Sequence, residues 1–229
     1  MAISEDIFRA YDIRGVVETA LTPEAVTRIG QAFATEARAR GQNKVVIGRD
    51  GRLSSPDLAH ALSDGLRAGG CDVIDIGMVP TPVLYYATHK LNTGTGIMVT
   101  GSHNPPQYNG LKMMVAGNTF YGDDIKSLYQ RIIDGNIDNG DGDYQQQDLI
   151  PDYIETITSD IQLARPLNIA VDCGNGVAAV LAVELFSKLG CEITPLYCDV
   201  DGTFPNHHPD PSKPENLDDI KQAIADKAL

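Results

Sequence analysis

Basic residues are scarce in this chain. Among its 229 residues, Lys and Arg total 18 while Asp and Glu total 31, which gives a formal net charge of −13 at pH 7. Nucleic acids and anionic membranes are bound through basic patches, so we expect neither as a partner. The deficit does not exclude a phosphorylated small molecule, because a few cations that converge in a cleft can dominate the local field.

Cysteine pairs and long apolar runs are also lacking. The four cysteines are Cys71, Cys173, Cys191 and Cys198. They form no CxxC motif and lie in or beside apolar runs, which indicates buried free thiols in a reducing compartment. A zinc site formed by Cys191, Cys198, His207 and His208 would have a spacing that fits no standard pattern. With no signal peptide and no run of membrane-spanning length, we expect a cytoplasmic protein.

Apolar periodicity alternates between strand and helix spacing along the chain. Thr22-Pro23-Glu24 combines a capping residue with a proline at the first helical position, and it predicts a helix that ends at Gly41. Further strands are predicted at residues 44–48, 71–77, 94–100 and 110–115, and helices at residues 56–68, 81–91 and 122–133.

A polar segment, residues 134–148, predicts an exposed loop or linker. The alternation then resumes, with helices predicted at residues 149–163, 177–189 and 216–228 and strands at residues 167–172 and 192–196. Near-continuous apolar strands between helices predict an α/β fold. We expect two consecutive α/β domains with mixed, mostly parallel sheets sandwiched by helices: residues 1–147 and residues 148–229, the second incomplete.

Ser102 lies in "TGSHNPPQYNGLKM", directly after a predicted strand. Pro105 and Pro106 restrict the backbone behind it. Ligands in α/β folds bind at the carboxyl ends of strands. Ser102 is therefore a nucleophile or a phosphate-holding residue, or else it belongs to a turn whose side chains cap the backbone. The GxSxG nucleophile elbow is absent, which disfavours an α/β-hydrolase.

Two segments carry arginine, whose planar fork of donors suits phosphate. In "FRAYDIRG", Arg14 is either a phosphate ligand or a surface residue paired with Asp12. In "GRDGR", Arg52 is a weaker candidate, and the alternative is a structural pair between Arg49 and Asp50.

Five motifs in a fixed order carry a family resemblance. "FRAYDIRG", "GRDGR", "TGSHNPPQYNGLKM", "VDCGNG" and "FPNHHPDPSKPENL" together closely resemble the bacterial phosphomannomutase/phosphoglucomutase branch of the α-D-phosphohexomutase superfamily, over essentially all 229 residues. Phosphoglucosamine mutases differ at the chain start and in the serine loop, which disfavours them. The resemblance implies an isomerase of carbohydrate metabolism that interconverts hexose 1-phosphate and hexose 6-phosphate through a bisphosphorylated intermediate.

The resemblance also implies residue roles. Ser102 would be the phosphoserine, primed by a glucose 1,6-bisphosphate-type activator, that gives its phosphoryl group to the sugar and takes back the other phosphate. The implied catalytic residues are Ser102, His103, Lys112 and Arg14. The implied substrate-binding residues are Tyr11, Arg14, Asn104, Lys112 and Arg52. The prolines and histidines of "FPNHHPDP" are expected to shape a loop at a domain interface.

The family's metal loop, DGDxDR, is missing from these residues. The resemblance implies Mg²⁺ held by the phosphate on Ser102 and by aspartates beyond residue 229. "DNGDGDYQ" contains Asp141 and Asp143, but Tyr144 stands where the loop has arginine, so we interpret it as an acidic linker turn.

We therefore expect the first half of a family member, a monomer that binds hexose phosphate and has little mutase activity by itself. Two other functions stay open. One is a slow sugar phosphatase whose phosphoserine loses its group to water. The other is a non-catalytic scaffold that only binds sugar phosphates.

Overall fold

The computed structural model describes residues 3–227. The helices in these residues are α1 (Pro23–Ala39), α2 (Ser55–Ala68), α3 (Thr81–Lys90), α4 (Asp123–Asp134), α5 (Ile150–Asp160), α6 (Ala182–Lys188) and α7 (Asp218–Lys227). The strands are β1 (Ile13–Val16), β2 (Lys44–Arg49), β3 (Asp72–Met78), β4 (Gly96–Val99), β5 (Tyr108–Val115), β6 (Asn118–Thr119), β7 (Tyr144–Gln146), β8 (Asn168–Asp172) and β9 (Glu192–Leu196). Short 3-10 turns lie at Glu5–Ile7, Val177–Val180 and Pro214–Leu217.

The main sheet has the strand order β1-β5-β4-β2-β3-β7, and β6 pairs with β5. β2 pairs in parallel with β3 and β4, and β3 pairs in parallel with β7. β5 is antiparallel to β1, β4 and β6, so it runs opposite to the other strands of this sheet. The prediction of a mixed, mostly parallel α/β sheet is confirmed.

Helices cover both faces of the main sheet. Side chains alternate between faces along β2, so Val45 and Ile47 belong to one apolar cluster and Val46 belongs to another. The first cluster includes side chains of α1, α2 and α4, whereas the second includes side chains of α3 and α5. This is the three-layer arrangement that buried parallel strands require.

α1 begins and ends where its sequence predicts. The Thr22 side chain accepts a hydrogen bond from the backbone N–H of Ala25 at 3.3 Å, and Pro23 opens the helix. Gly41 has φ of 77°, a left-handed conformation that costs glycine little and stops the helix.

The second unit consists of α5 to α7 with β8 and β9. Its two strands pair in parallel and end together, with Asp172 opposite Leu196. It shares a core with the main sheet, because Leu149, Ile154 and Leu181 lie in the same buried cluster as side chains of α3. The boundary predicted between residues 147 and 148 falls between β7 and α5, and it stays a prediction.

The interpretation of residues 134–148 as an exposed linker is wrong in part. Tyr144–Gln146 forms β7 at the edge of the main sheet, and the Gly140 N–H donates to the Ala68 carbonyl at 2.8 Å. Backbone hydrogen bonds carry this edge strand, which therefore needs no apolar side chains. The helices predicted at residues 177–189 and 216–228 each begin with a 3-10 turn, and residue 228 lies outside the described residues.

The cysteines are free thiols, as predicted, but only Cys71 is buried. Burial raises the pKa of Cys71 to about 11. Cys173, Cys191 and Cys198 are half-buried, so the expectation of burial was wrong for these three. Within residues 3–227, no helix combines the length and apolarity needed to cross a membrane.

Candidate active site

The loops after β2 and β4 meet at one edge of the main sheet. These two strands are parallel neighbours, and Arg49 pairs with Val99 at their carboxyl ends. The Asp50 N–H continues the ladder by donating to the Val99 carbonyl at 2.9 Å. "GRDGR" and the serine loop, which we define as residues 100–109, therefore leave the sheet side by side at the edge where α/β folds bind ligands.

Ser102 is presented to solvent on a constrained turn. Its side chain is exposed, and its φ of 52° lies in the left-handed region that non-glycine residues rarely adopt. The Ser102 N–H donates to Oγ1 of Thr100 at 3.0 Å, and the Asn104 N–H donates to the Gly101 carbonyl at 3.0 Å. Surrounding contacts must maintain this conformation, since it costs about 1–3 kcal/mol.

Arg52 supplies four of those contacts. Its Nη2 donates to the carbonyls of Ser102 at 2.9 Å and Asn104 at 2.7 Å. Its Nη1 donates to the carbonyls of Pro105 at 2.8 Å and Tyr108 at 3.1 Å. The residue is only 2% exposed, so its guanidinium is committed to the loop. This arrangement does not favour the predicted contact of Arg52 with substrate, and it makes Arg52 a positioning residue.

A buried polar network supports Arg52 from below. Asp50 accepts from the Ser55 hydroxyl at 2.5 Å and, through its other oxygen, from the Gly101 N–H at 3.0 Å. That oxygen lies 3.3 Å from Nε of Arg52, within ion-pair distance, although Nε itself forms no hydrogen bond. Asp50 thus pairs with Arg52 and not, as the alternative interpretation had it, with Arg49.

Asn109 extends the network and was missed by the sequence analysis. It is fully buried, donates to the Ser55 hydroxyl at 2.9 Å, and accepts from the Gly110 N–H at 2.9 Å. The available signal was an asparagine directly before the predicted strand at residues 110–115, since a buried amide needs partners that hold it.

Three charged groups converge beside the serine loop. Asp12 is 6% exposed, and its Oδ2 lies 2.6 Å from Nη2 of Arg14 and 3.7 Å from Nζ of Lys112. Nη1 of Arg14 donates to Oδ1 of Asn104 at 3.3 Å. The pair between Arg14 and Asp12 exists, as the alternative interpretation had it, but it also connects β1 to the loop that carries Ser102.

A cleft of about 340 Å³ brings several of the predicted site residues together. Ser102, His103 and Lys112 line it together with Arg52. Its opposite wall comes from the second unit, from Cys173, Gly176, Val177, Ala178, Phe204 and Pro209. Tyr11 is 74% exposed and stacks on Tyr121 with ring centroids 6.5 Å apart, outside this lining.

The side chains of the described residues form no metal site by themselves. Within residues 3–227, no three His, Cys, Asp or Glu residues are grouped so as to hold an ion. The candidate zinc ligand His207 is instead bonded to Asp172 at 2.9 Å. In "DNGDGDYQ", the Asp143 carbonyl accepts from the Val73 N–H at 2.8 Å, so this segment joins the main sheet and is not a free acidic turn.

Comparison with known proteins gives two family matches. Residues 5–137 match phosphoglucomutase/phosphomannomutase alpha/beta/alpha domain I, and residues 151–229 match alpha/beta/alpha domain II. The phosphomannomutase/phosphoglucomutase of Pseudomonas aeruginosa is 55% identical over 93% of this chain and 46% of its own length. The phosphoglucomutase of Neisseria meningitidis is 49% identical over 97% of this chain and 49% of its own length.

Solved structures agree with these matches. A phosphoglucomutase/phosphomannomutase family protein from Burkholderia thailandensis superposes with a TM-score of 0.93 at 51% identity, over 97% of this chain and 50% of that protein. The chain thus spans about half the length of the relatives it matches. The phosphoglucomutase/phosphomannomutase family is the one to which this chain belongs.

Proposed function

We propose that the chain is the phosphoserine-bearing part of a cytoplasmic phosphohexomutase that interconverts hexose 1-phosphate and hexose 6-phosphate. The observation that carries the proposal is Ser102: an exposed hydroxyl at a strand's carboxyl end, on a loop whose backbone is fixed by Arg52, in one cleft with His103 and Lys112. Phosphoryl transfer depends on positioning and charge neutralisation, and this cleft offers the positioning and part of the neutralisation.

The transfer can be written with the groups of this chain. The Oγ–P bond of phosphorylated Ser102 breaks while the phosphorus forms a bond to a sugar hydroxyl, which gives the bisphosphorylated intermediate. Lys112 lines the same cleft as an ammonium and delivers a proton to the departing Oγ. The amine then accepts the proton of the sugar hydroxyl, so protons balance. Reversal with the other phosphate of the intermediate restores the phosphoserine.

Arg14 is proposed to assist from its position beside the serine loop. Its guanidinium donates a hydrogen bond to Asn104, two residues after Ser102 on the serine loop. The planar fork of donors of an arginine suits the oxygens of a phosphate on Ser102. Tyr11, exposed beside this strand, is proposed to meet the sugar once substrate is bound.

Mg²⁺ and a sugar 1,6-bisphosphate activator are part of the proposal but not of this chain's own chemistry. Among residues 3–227, no three His, Cys, Asp or Glu side chains are grouped to hold the ion. The phosphate on Ser102 would supply part of the coordination shell of Mg²⁺, and the rest would fall to other groups. When bound, the ion would neutralise charge on the transferring phosphoryl group.

Phosphorylation of Ser102 tests the proposal directly. Incubation with radiolabelled glucose 1,6-bisphosphate should label the chain, and peptide mass spectrometry should place the phosphate on Ser102. Ser102→Ala should abolish the label, whereas Ser127→Ala, at an exposed serine of α4, should not. Absence of label, or equal label in the Ser102→Ala variant, would contradict the proposal.

A slow sugar phosphatase is the second candidate, and the solvent exposure of Ser102 favours it. Water can reach a phosphate on this residue, so the label would decay over hours if hydrolysis competes. A stable label favours the mutase. We further propose that the 229-residue chain alone has little mutase activity, and sustained conversion of mannose 1-phosphate by the purified chain would contradict that.

A further inference from the structure

The loop after β9 crosses from the second unit to the serine loop. We call residues 204–211 the histidine loop. Nε2 of His208 lies 2.7 Å from the carbonyl oxygen of His103, the residue that follows Ser102. A carbonyl can only accept, so Nε2 carries the proton and donates. This bond joins residues that are 105 positions apart in the chain.

A second contact reaches the residue that organises the serine loop. The ring of Phe204 lies against the guanidinium of Arg52, with 5.4 Å between the guanidinium carbon and the ring centroid. Because the donors of Arg52 are directed at four carbonyls of the serine loop, the aromatic face covers the side of the guanidinium that they leave open. The histidine loop therefore contacts both the backbone beside Ser102 and its main support.

The backbone just before the histidine loop lies close to the backbone after β2, and this fixes the position of the histidine loop. A Cβ added at Gly202 would lie 2.7 Å from the Gly51 carbonyl oxygen and the Leu53 nitrogen. Only glycine permits the two backbones to come this near. The backbone around Gly202 thus packs directly against the backbone of "GRDGR".

The histidine loop is anchored at its other side to the end of β8. Nε2 of His207 lies 2.9 Å from Oδ2 of Asp172, and its Nδ1 lies 3.0 Å from the His208 carbonyl. Both partners are acceptors, so the doubly protonated imidazolium satisfies both bonds. Asn206 donates to Oδ1 of Asn175 at 2.7 Å. These bonds hold His208 at a defined position relative to β8.

We propose that His208 is a positioning residue for Ser102. From the second unit, His208 fixes the backbone of the serine loop, so the conformation of this loop depends on the position of the second unit against the main sheet. The hydrogen bond between His208 and the His103 carbonyl does not depend on the proposed function. The effect of this bond on catalysis does rest on the proposed function. The carbonyl of His103 follows the left-handed turn at Ser102, so a donor at this point restrains that turn.

Hydrogen exchange on the unphosphorylated chain tests this inference. His208→Ala should speed exchange at the amides of Gly101, Ser102 and Asn104 about five-fold, which corresponds to loss of one hydrogen bond of about 1 kcal/mol. His208→Gln places an amide donor near the position of Nε2 and should restore slow exchange. His60→Ala, at an exposed histidine of α2, is the matched control and should change nothing.

Unchanged exchange of those amides in a folded His208→Ala protein would overturn the inference, and so would an equal acceleration of the β2 and β4 amides. If His208→Ala does not fold, Phe204→Leu removes the contact with Arg52 while it keeps an apolar side chain, and it should loosen the same three amides. Failure of Ser102 labelling would instead count against the proposed function, because exchange requires no phosphoryl transfer.

Discussion

Replacing Arg52 with alanine should destabilise the protein by about 3–5 kcal/mol, the usual cost of removing one partner of a buried ion pair. The change leaves the Asp50 carboxylate, 6% exposed, without its cation, and it frees four carbonyls of the serine loop. Those carbonyls lie near solvent and can rebind water, which keeps the cost from rising further. For a protein of this size, the loss corresponds to a drop in Tm of about 6–20 °C.

Urea titration at neutral pH measures this loss, and Ser102 labelling measures its effect on the loop. Arg52→Lys keeps the charge beside Asp50, but one ammonium cannot reach four carbonyls at once, so stability should recover only in part. Arg9→Ala, at an exposed arginine, should change the free energy of unfolding by no more than about 0.5 kcal/mol. A loss below about 1 kcal/mol for Arg52→Ala, or wild-type labelling by that variant, would refute the role assigned to Arg52.

Two further predictions concern charged groups around the site. Asp12→Asn removes the carboxylate that Arg14 and Lys112 share, so single-turnover labelling of Ser102 should slow about ten-fold, as expected when charged groups lose their positions; an unchanged rate would show that Asp12 is dispensable. Burial lowers the pKa of His207, but its hydrogen bonds to the His208 carbonyl and Asp172 outweigh burial and raise it. The contribution of His207 to stability is therefore full below the unfolded-state pKa near 6.5 and is lost as the pH rises through the higher folded-state pKa. Urea midpoints at about pH 5.5 and pH 8.5 should show this loss of stability in the wild type and not in His207→Gln. The same pH dependence in both proteins would contradict the prediction.

Strands with apolar side chains were predicted well, because burial on both faces leaves a continuous apolar run, as in Val45–Val46–Ile47. β1 and β7 were missed for the opposite reason, and the two-residue strand β6 was missed as well. β1 includes Arg14 and Gly15, and β7 consists of exposed polar residues, so in both the backbone pairing leaves no side-chain pattern.

The site shows the same division between pattern and partner. The serine loop could be located from the sequence, since its prolines and its place after a strand are local features. The partners of the arginines beside this loop could not be predicted, because residue types alone do not reveal which side chains are buried. Arg52 and Arg14 look alike in the sequence, yet Arg52 is buried under the serine loop whereas the Arg14 side chain is about one-third exposed, at 34%, and pairs with Asp12. Side-chain burial separates them, and it depends on packing between segments that are distant in the sequence.

The charge balance of the cleft argues that this chain cannot neutralise a phosphoserine by itself. The ion pairs beside the serine loop join three cations to two carboxylates, which gives these five side chains a net charge of about +1: Arg14, Arg52, Lys112, Asp12 and Asp50. Phosphate on Ser102 adds about −1.5 to −2. The donors of Arg52 are directed at carbonyls of the serine loop, so its positive charge acts on the phosphate only at a distance. The proposed Mg²⁺ would supply further positive charge at this point.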